Sequence, residues 1–347
     1  MNEKPQEMRP GNRYWLLIGA LGFLFLFFAV FLWFRSYGDT PSPLDADTSV
    51  ELLVPSGAGL GQIEQILVSK KIIRDDLRLR LLARSMDVAH RLRAGEYRFN
   101  GGMTPRQVLS KLAKGDILHH PVTIPEGSNI HQIGDILSQE GWVEKEYFLR
   151  LSRDPDFITQ FSIPATSLEG YLFPDTYHLF QGQSAEDIII MMVDRFRQVQ
   201  RELIDSMLPD STNPELTSHQ QVILASIVEK ETGLPEERGK IASVFFNRLK
   251  RNMRLQTDPT VIYGIKNFDG NLTRKDLRTP SPYNTYMIKG LPAGPICSPG
   301  RAALAAVLQP EQGSFLYFVS RNDGSHYFSK NLTEHNRAVY RFQKKTR

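Results

Sequence analysis

A chain of 347 residues with 41% hydrophobic side chains, 42 basic against 38 acidic groups and one cysteine is neither a disordered polymer nor a multi-span membrane protein. Cys297 alone allows no intramolecular disulfide and no cysteine-built metal cluster, and a net charge of +4 over this length gives nucleic acid little to bind. The composition is nonetheless uneven. Six of the 20 phenylalanines (Phe23, Phe25, Phe27, Phe28, Phe31 and Phe34) fall within residues 14–34.

That stretch holds no charge and no proline, and as a helix it is about 31 Å long, enough to cross a bilayer core. It reads as one transmembrane helix. Lys4, Arg9 and Arg13 precede it, whereas Arg35 is followed by Asp39, Asp45 and Asp47. The basic bias therefore makes residues 1–13 a cytoplasmic tail and exports the chain beyond the span. FRSYGDTP offers no small-x-small cleavage site, which favours a retained anchor over a cleaved signal peptide. Residues 35–48 are rich in Pro, Ser and Asp and read as a linker.

The folded body starts near residue 49, with about 300 residues left, enough for cores that need no metal or disulfide staple. Two segments, VPSGAGLGQIEQIL (54–67) and IPEGSNIHQIGDIL (124–137), align without gaps and share six of fourteen positions. Each combines a β-branched strand exit, a Pro-x-Gly turn and a helical apolar spacing, so each predicts strand, turn and amphipathic helix. Between them lie a basic helix over residues 76–85, the strand-like AGEYRF, and TPRQVLSKLAKG. In the last, Thr104 is an N-cap, Pro105 the first helical residue and Gly115 the stop. The basic cluster Lys70, Lys71, Arg74, Arg78, Arg80, Arg84, Arg91 and Arg93 reads first as a solvated face, and secondly as a contact for an anionic polymer or lipid headgroups. Residues 49–160 thus form a repeat-containing α+β region, and residues 161–347 a second domain of helices and long loops.

In that second domain SAEDIIIMMVDRFRQVQREL (184–203) predicts an amphipathic helix capped by Ser184. HQQVILASIVEKETG is apolar from Val222 to Val228 and predicts a buried helix, stopped by a left-handed Gly233 and followed by a helix opening at Pro235. Glu229 and Glu231 then sit in its last turn. The negative end of the helix dipole and apolar surroundings both raise a carboxyl's pKa, which suits a general acid. Spacing does not choose between them. Glu229 follows Val222, Ala225 and Ser226, Glu231 follows Leu224, Ile227 and Val228, and both faces are largely apolar.

LEGYLFPDTY (168–177), ILASIVEKET (223–232), SVFFNRL (243–249), RLQTDPTVIYG (254–264), PYNTY (282–286) and GLPAGPICSPG (290–300) resemble, in order, the YceG-like endolytic murein transglycosylases. The resemblance implies an α+β protein with a single N-terminal transmembrane helix, a LysM-like subdomain over about residues 49–120 and a mixed α/β-loop catalytic domain. It implies an inner-membrane enzyme with a periplasmic body that cuts the MurNAc-GlcNAc bond of nascent glycan strands and leaves 1,6-anhydro ends. Peptidoglycan is then the substrate, with peptidoglycan synthases as partners and no cofactor. The family's catalytic acid carries over to Glu229. Ser298 stands where the family pattern has Asn, which weakens a role for that side chain alone.

The chemistry needs one carboxyl, because the C6 hydroxyl of the same sugar attacks and one glutamate serves as acid and then base. The rest of a site must bind sugar and stabilise an oxocarbenium-like state. Candidates for that work are Gln256, Thr257 and Asp258 in one loop, Tyr283, Asn284, Thr285 and Tyr286 in another, and Glu169 with Tyr171 in a third. About half are expected to be architectural, because Asp-Pro and Tyr-Asn-Thr runs also build turns and caps. Two alternatives stand beside this reading: a glycan-binding scaffold of the wall machinery, and a muramidase using water and a second carboxylate. Cys297 lacks a base placed by spacing, and His119-His120, His326 and His335 lack metal-ligand spacing.

Overall fold

The computed structural model describes residues 10–55, 57–206 and 216–344. Lys4 and Arg9 lie outside the described residues. The chain divides into two compact units, residues 1–120 with 180–182, and residues 121–179 with 183–347.

The first unit opens with α1 (Pro10–Gly38), one unbroken helix that contains the apolar run and continues into the stretch expected as linker. There follow β1 (Ser49–Val54), α2 (Leu60–Ser69), α3 (Arg78–Ser85), β2 (Gly95–Asn100) and α4 (Pro105–Lys114). β1 and β2 pair antiparallel, Val50 opposite Phe99 and Leu52 opposite Tyr97. Alternation puts Leu52, Val54, Tyr97 and Phe99 into the core with Ile63, Leu67, Leu79, Leu82 and Leu109. The α4 boundaries follow from local chemistry. Thr104 and Gln107 form a capping box, Pro105 opens the helix, and Gly115 closes it at φ 70°.

The second unit begins with β3 (His120–Thr123), α5 (Ile130–Gln139), α6 (Lys145–Leu151), α7 (Pro155–Thr159), β4 (Thr176–Leu179) and α8 (Ala185–Asp205). It continues with α9 (Ser218–Glu231), α10 (Pro235–Lys250), α11 (Asp258–Tyr263), a 3-10 turn at Asp276–Arg278, α12 (Arg301–Leu308), the hairpin β5 (Tyr317–Ser320) and β6 (His326–Ser329), and α13 (Leu332–Val339). β3 pairs with β4, and β5 with β6. Ser184 caps α8 by accepting from the Asp187 N–H.

The two copies of the repeat fall in different units and share their local form. Val54 and Ile124 are buried strand exits, Gly57 and Gly127 both take positive φ (77° and 75°), and α2 and α5 bury Ile63 and Leu67, Ile133 and Leu137. Only the glycines reach that left-handed turn without a Cβ clash.

α9 is the centre of the second unit. Thr217 and Gln220 form its capping box, and every residue from Val222 to Val228 is buried, packed against α10 and α12. A helix apolar on all sides is stable only inside a core. Its end differs from the expectation: Thr232, extended at φ −147°, stops the helix rather than a left-handed Gly233. The Thr232 hydroxyl accepts from the Leu234 N–H, which turns the chain directly into α10 at Pro235.

Candidate active site

The last turn of α9 presents its two glutamates to different surroundings. Glu231 lines a cavity of about 510 Å³ together with Arg248, Gln256, Asp258, Tyr286, Tyr317, His326 and His335. Glu229 does not line it.

The loop before α11 brings the groups expected from sequence to Glu231. Gln256 is left-handed at φ 50°, and its N–H donates to the Thr285 carbonyl at 3.2 Å. The sharp turn sets Thr257 against the end of α9, where its hydroxyl donates to Glu231 Oε1. Thr257 is held in turn by Thr285, whose Oγ1 accepts from the Thr257 N–H at 3.0 Å and lies 2.8 Å from Thr260 Oγ1. Asp258 begins α11 and accepts from the Tyr286 hydroxyl at 2.7 Å. Gln256, Asp258 and Tyr286 therefore line the cavity, Thr257 bonds to its acid, and Thr285 fixes Thr257.

The opposite wall is built from residues outside the expected set. Arg248, on α10, is buried; its Nε donates to the Leu316 carbonyl and an Nη to the Leu255 carbonyl, both at 2.7 Å. Its guanidinium lies 5.2 Å from the Tyr317 ring centre, so one cation ties α10, the 255–258 loop and β5 together. No sequence signal singles out Arg248, because α10 carries several other charged side chains. His326 is fixed by Glu237, which accepts from the His326 N–H at 2.8 Å and lies 2.7 Å from its ring Nδ1. His335 stacks on Tyr317 at 5.1 Å, and burial lowers its pKa.

Its surroundings hold Glu231 toward the protonated form. Burial is the largest influence on it and Asp258 adds to the same effect, while the Thr257 hydrogen bond, His326 and Arg248 oppose; the pKa is pushed up to about 7. Such a carboxyl holds its proton near neutrality and can release it within one reaction cycle. Asp258 is a second carboxylate in the same cavity.

Glu229, at the same helix end, meets other groups. Its Oε2 accepts from the Gly300 N–H at 2.9 Å, at the start of α12, and its Oε1 lies 3.7 Å from the Arg238 guanidinium. Lys230 donates to the Gly127 carbonyl at 3.3 Å, and Gly127 and Ser128 exchange backbone bonds with Ser298 at 2.9 and 2.8 Å. Burial raises the Glu229 pKa, with the Gly300 N–H opposing and Glu126 reinforcing. Here α9, α12 and the repeat's second turn meet.

Four other expected residues face away from the cavity as well. Glu169 is buried, accepting from the Ile130 N–H at the start of α5 and from the Tyr263 hydroxyl at 2.9 Å, and burial pushes its pKa up to about 7. The Tyr171 hydroxyl is 2.7 Å from His219 Nδ1 and its ring stacks on that histidine. Tyr283 packs on Tyr263 at 4.8 Å. Asn284 is buried and donates to the carbonyls of Asp276, Leu277 and Thr279. All four brace loops rather than face the cavity. Cys297 is buried against the Ser226 carbonyl, and burial pushes its thiol pKa up, the reverse of an activated nucleophile.

Comparison with known proteins adds to this geometry. The model of the YceG-like family matches residues 52–341. A Bacillus subtilis (strain 168) protein named endolytic murein transglycosylase is 32% identical over 318 residues, covering 87% of each chain. A Streptococcus pneumoniae (strain D39) protein of the same name is 29% identical over 335 residues; the match covers 87% of this chain and 60% of that one. A crystal structure at 2.6 Å of a yceG-like protein from Listeria monocytogenes is 34% identical, covers 84% of this chain and 99% of its own, and superposes with a TM-score of 0.55.

Proposed function

The chain belongs to the YceG-like family, and on that premise we propose that it is an endolytic peptidoglycan lytic transglycosylase whose acid and base is one of the glutamates ending α9: Glu229, the residue the family resemblance gives, with Glu231 as the competing candidate. One observation carries the placing of the acid at this helix end: burial raises the pKa of both glutamates, Glu229 beside the Gly300 N–H and Arg238, and Glu231 beside a cavity of about 510 Å³. The protonated glutamate donates to the glycosidic oxygen between MurNAc and GlcNAc as the C1–O bond breaks. The C6 hydroxyl of the same MurNAc attacks C1, and the glutamate's carboxylate takes its proton. The bond made at C1 replaces the bond lost, no water is consumed, and the acid is regenerated. Tyr286 and Gln256 offer hydrogen bonds to sugar, and the Tyr317 and His335 rings offer stacking faces.

The βααβ order of β1, α2, α3 and β2, with its two strands antiparallel, supports the LysM-like reading of the first unit. The apolar α1 supports a single-pass anchor, with the flanking charges favouring a cytoplasmic N-terminus, a periplasmic body and contact with wall synthases at the inner membrane.

Asp258 favours one second reading, a hydrolytic muramidase in which it activates water. Mass spectrometry of digested glycan strands separates the readings. Anhydro ends support the transglycosylase, reducing ends the muramidase, and an absence of products would leave a binding scaffold.

A further inference from the structure

The first unit carries an exposed corner that the catalytic reading leaves without a role. Leu77, just before α3, is 77% exposed, the highest value among the large apolar side chains described. Leu77, Arg80, Leu81 and Arg84 are all exposed at helical spacing, while Leu79, Leu82 and Ala83 of α3 are buried. Arg80 pairs with Glu64 at 2.6 Å. Nearby, Lys70, Lys71 and Arg74 are exposed, as is Asp75; Asp76 is occupied by Arg78.

The depth of this corner relative to a membrane follows from α1. That helix does not end in a free tether: its last turn buries Tyr37 at 3% exposure in the core of the first unit, with Phe34 packed alongside. Arg78, the residue after Leu77, donates an Nη to the Trp33 carbonyl at 2.9 Å, and its guanidinium lies 4.3 Å from the Trp33 ring and 4.8 Å from that of Tyr37. Trp33 is the next-to-last residue of the apolar run. Tryptophan at a span's end belongs to the headgroup level, and Arg78, paired with Asp76, ties the start of α3 to that level. Leu82 approaches Gly38, so α3 climbs away from the span and Leu77 marks its lower end.

We propose that the Leu77–Arg78 corner is a membrane contact, with Leu77 seated at the boundary between headgroups and acyl chains of the bilayer that holds α1 and with the exposed Arg74 against lipid phosphates. The proposal rests on the reading of α1 as an anchor. The first unit is then fixed on the bilayer surface at two points, the helix and the corner, and cannot swing on its span.

The test uses the full chain in vesicles of phosphatidylethanolamine and phosphatidylglycerol, labelled with an environment-sensitive fluorophore at Leu77→Cys, at Leu53→Cys on exposed β1, or at Leu24→Cys within the span. Cys297 is buried and takes up no label in the folded parent. The probe at position 77 is expected to emit at shorter wavelength than that at 53, and to lose most of its emission to a lipid nitroxide near the headgroup but less to one near the chain end. A probe at 77 that matches the one at 53, while the probe at 24 is quenched, overturns the proposal and leaves the anchor standing. An unquenched probe at 24 overturns the anchor reading, and the proposal with it.

Discussion

Glu229 and Glu231 are two residues apart on one helix turn, and both are drawn toward protonation by burial, yet their neighbours differ. Around Glu229 the partners are parts of the fold: the Gly300 N–H, Arg238 and the 125–128 turn. Around Glu231 they are a hydroxyl, a second carboxylate and the walls of a cavity. A raised carboxyl pKa marks a functional site only when there is space beside it for a substrate.

The comparison breaks most sharply under substitution. Glu229→Gln and Glu231→Gln separate the two carboxyls: the substitution that removes the acid is expected to lower anhydro-product formation by about 10²–10⁴-fold, the usual worth of a general acid, with the circular dichroism spectrum unchanged. The other should keep turnover within a few-fold. Loss at Glu229 alone supports the assignment that the family resemblance gives, and loss at Glu231 alone moves the acid to the cavity.

The next effect is on stability. A carboxyl whose pKa rises on folding from 4.5 to about 7 binds more proton in the native state across that interval. Stability from this group is therefore lost as pH climbs through the window. Calorimetry should find Glu231→Gln more stable than the parent at about pH 8, with the difference closing below about pH 4.

Smaller shifts in the alkaline limb of activity test the pocket's electrostatics. With Glu231 as the acid, activity should fall as pH rises past about 7, where it loses its proton. Asp258→Asn removes a charge that raises the Glu231 pKa and should move the limb to lower pH, whereas Thr257→Val removes the donor to the carboxylate and should move it higher. Movement of both in one direction would contradict this electrostatic picture of the site.

The smallest catalytic effect is expected at Glu169. Glu169→Ala leaves the Ile130 N–H and the Tyr263 hydroxyl without their acceptor and should cost about 1–3 kcal/mol with the product unchanged.

Sequence patterning made much of this fold legible. The caps at Thr104 and Ser184, the buried run from Val222 to Val228 and the paired Pro-x-Gly turns all follow from local rules, because each depends on residues within a turn or two. The near wall of the cavity was legible as well: Gln256, Asp258 and Tyr286 lie in loops dense in polar groups. Arg248, His326 and His335 were not, because they reach the cavity from α10 and the C-terminal hairpin region, far away in the chain.

The choice of acid shows where that boundary lies. Sequence by itself determined that α9 is apolar on every side and ends in two glutamates, which places both in desolvating surroundings. A helix buried all round has no solvent face to set one carboxyl apart from the other. Only the tertiary structure gives them different neighbours: the Gly300 N–H and Arg238 at Glu229, and Thr257 with a cavity at Glu231. Local spacing fixes the direction in which a side chain leaves its helix; what it meets there depends on distant segments, 26 residues away for Glu231 and Thr257 and 103 for Lys230 and Gly127.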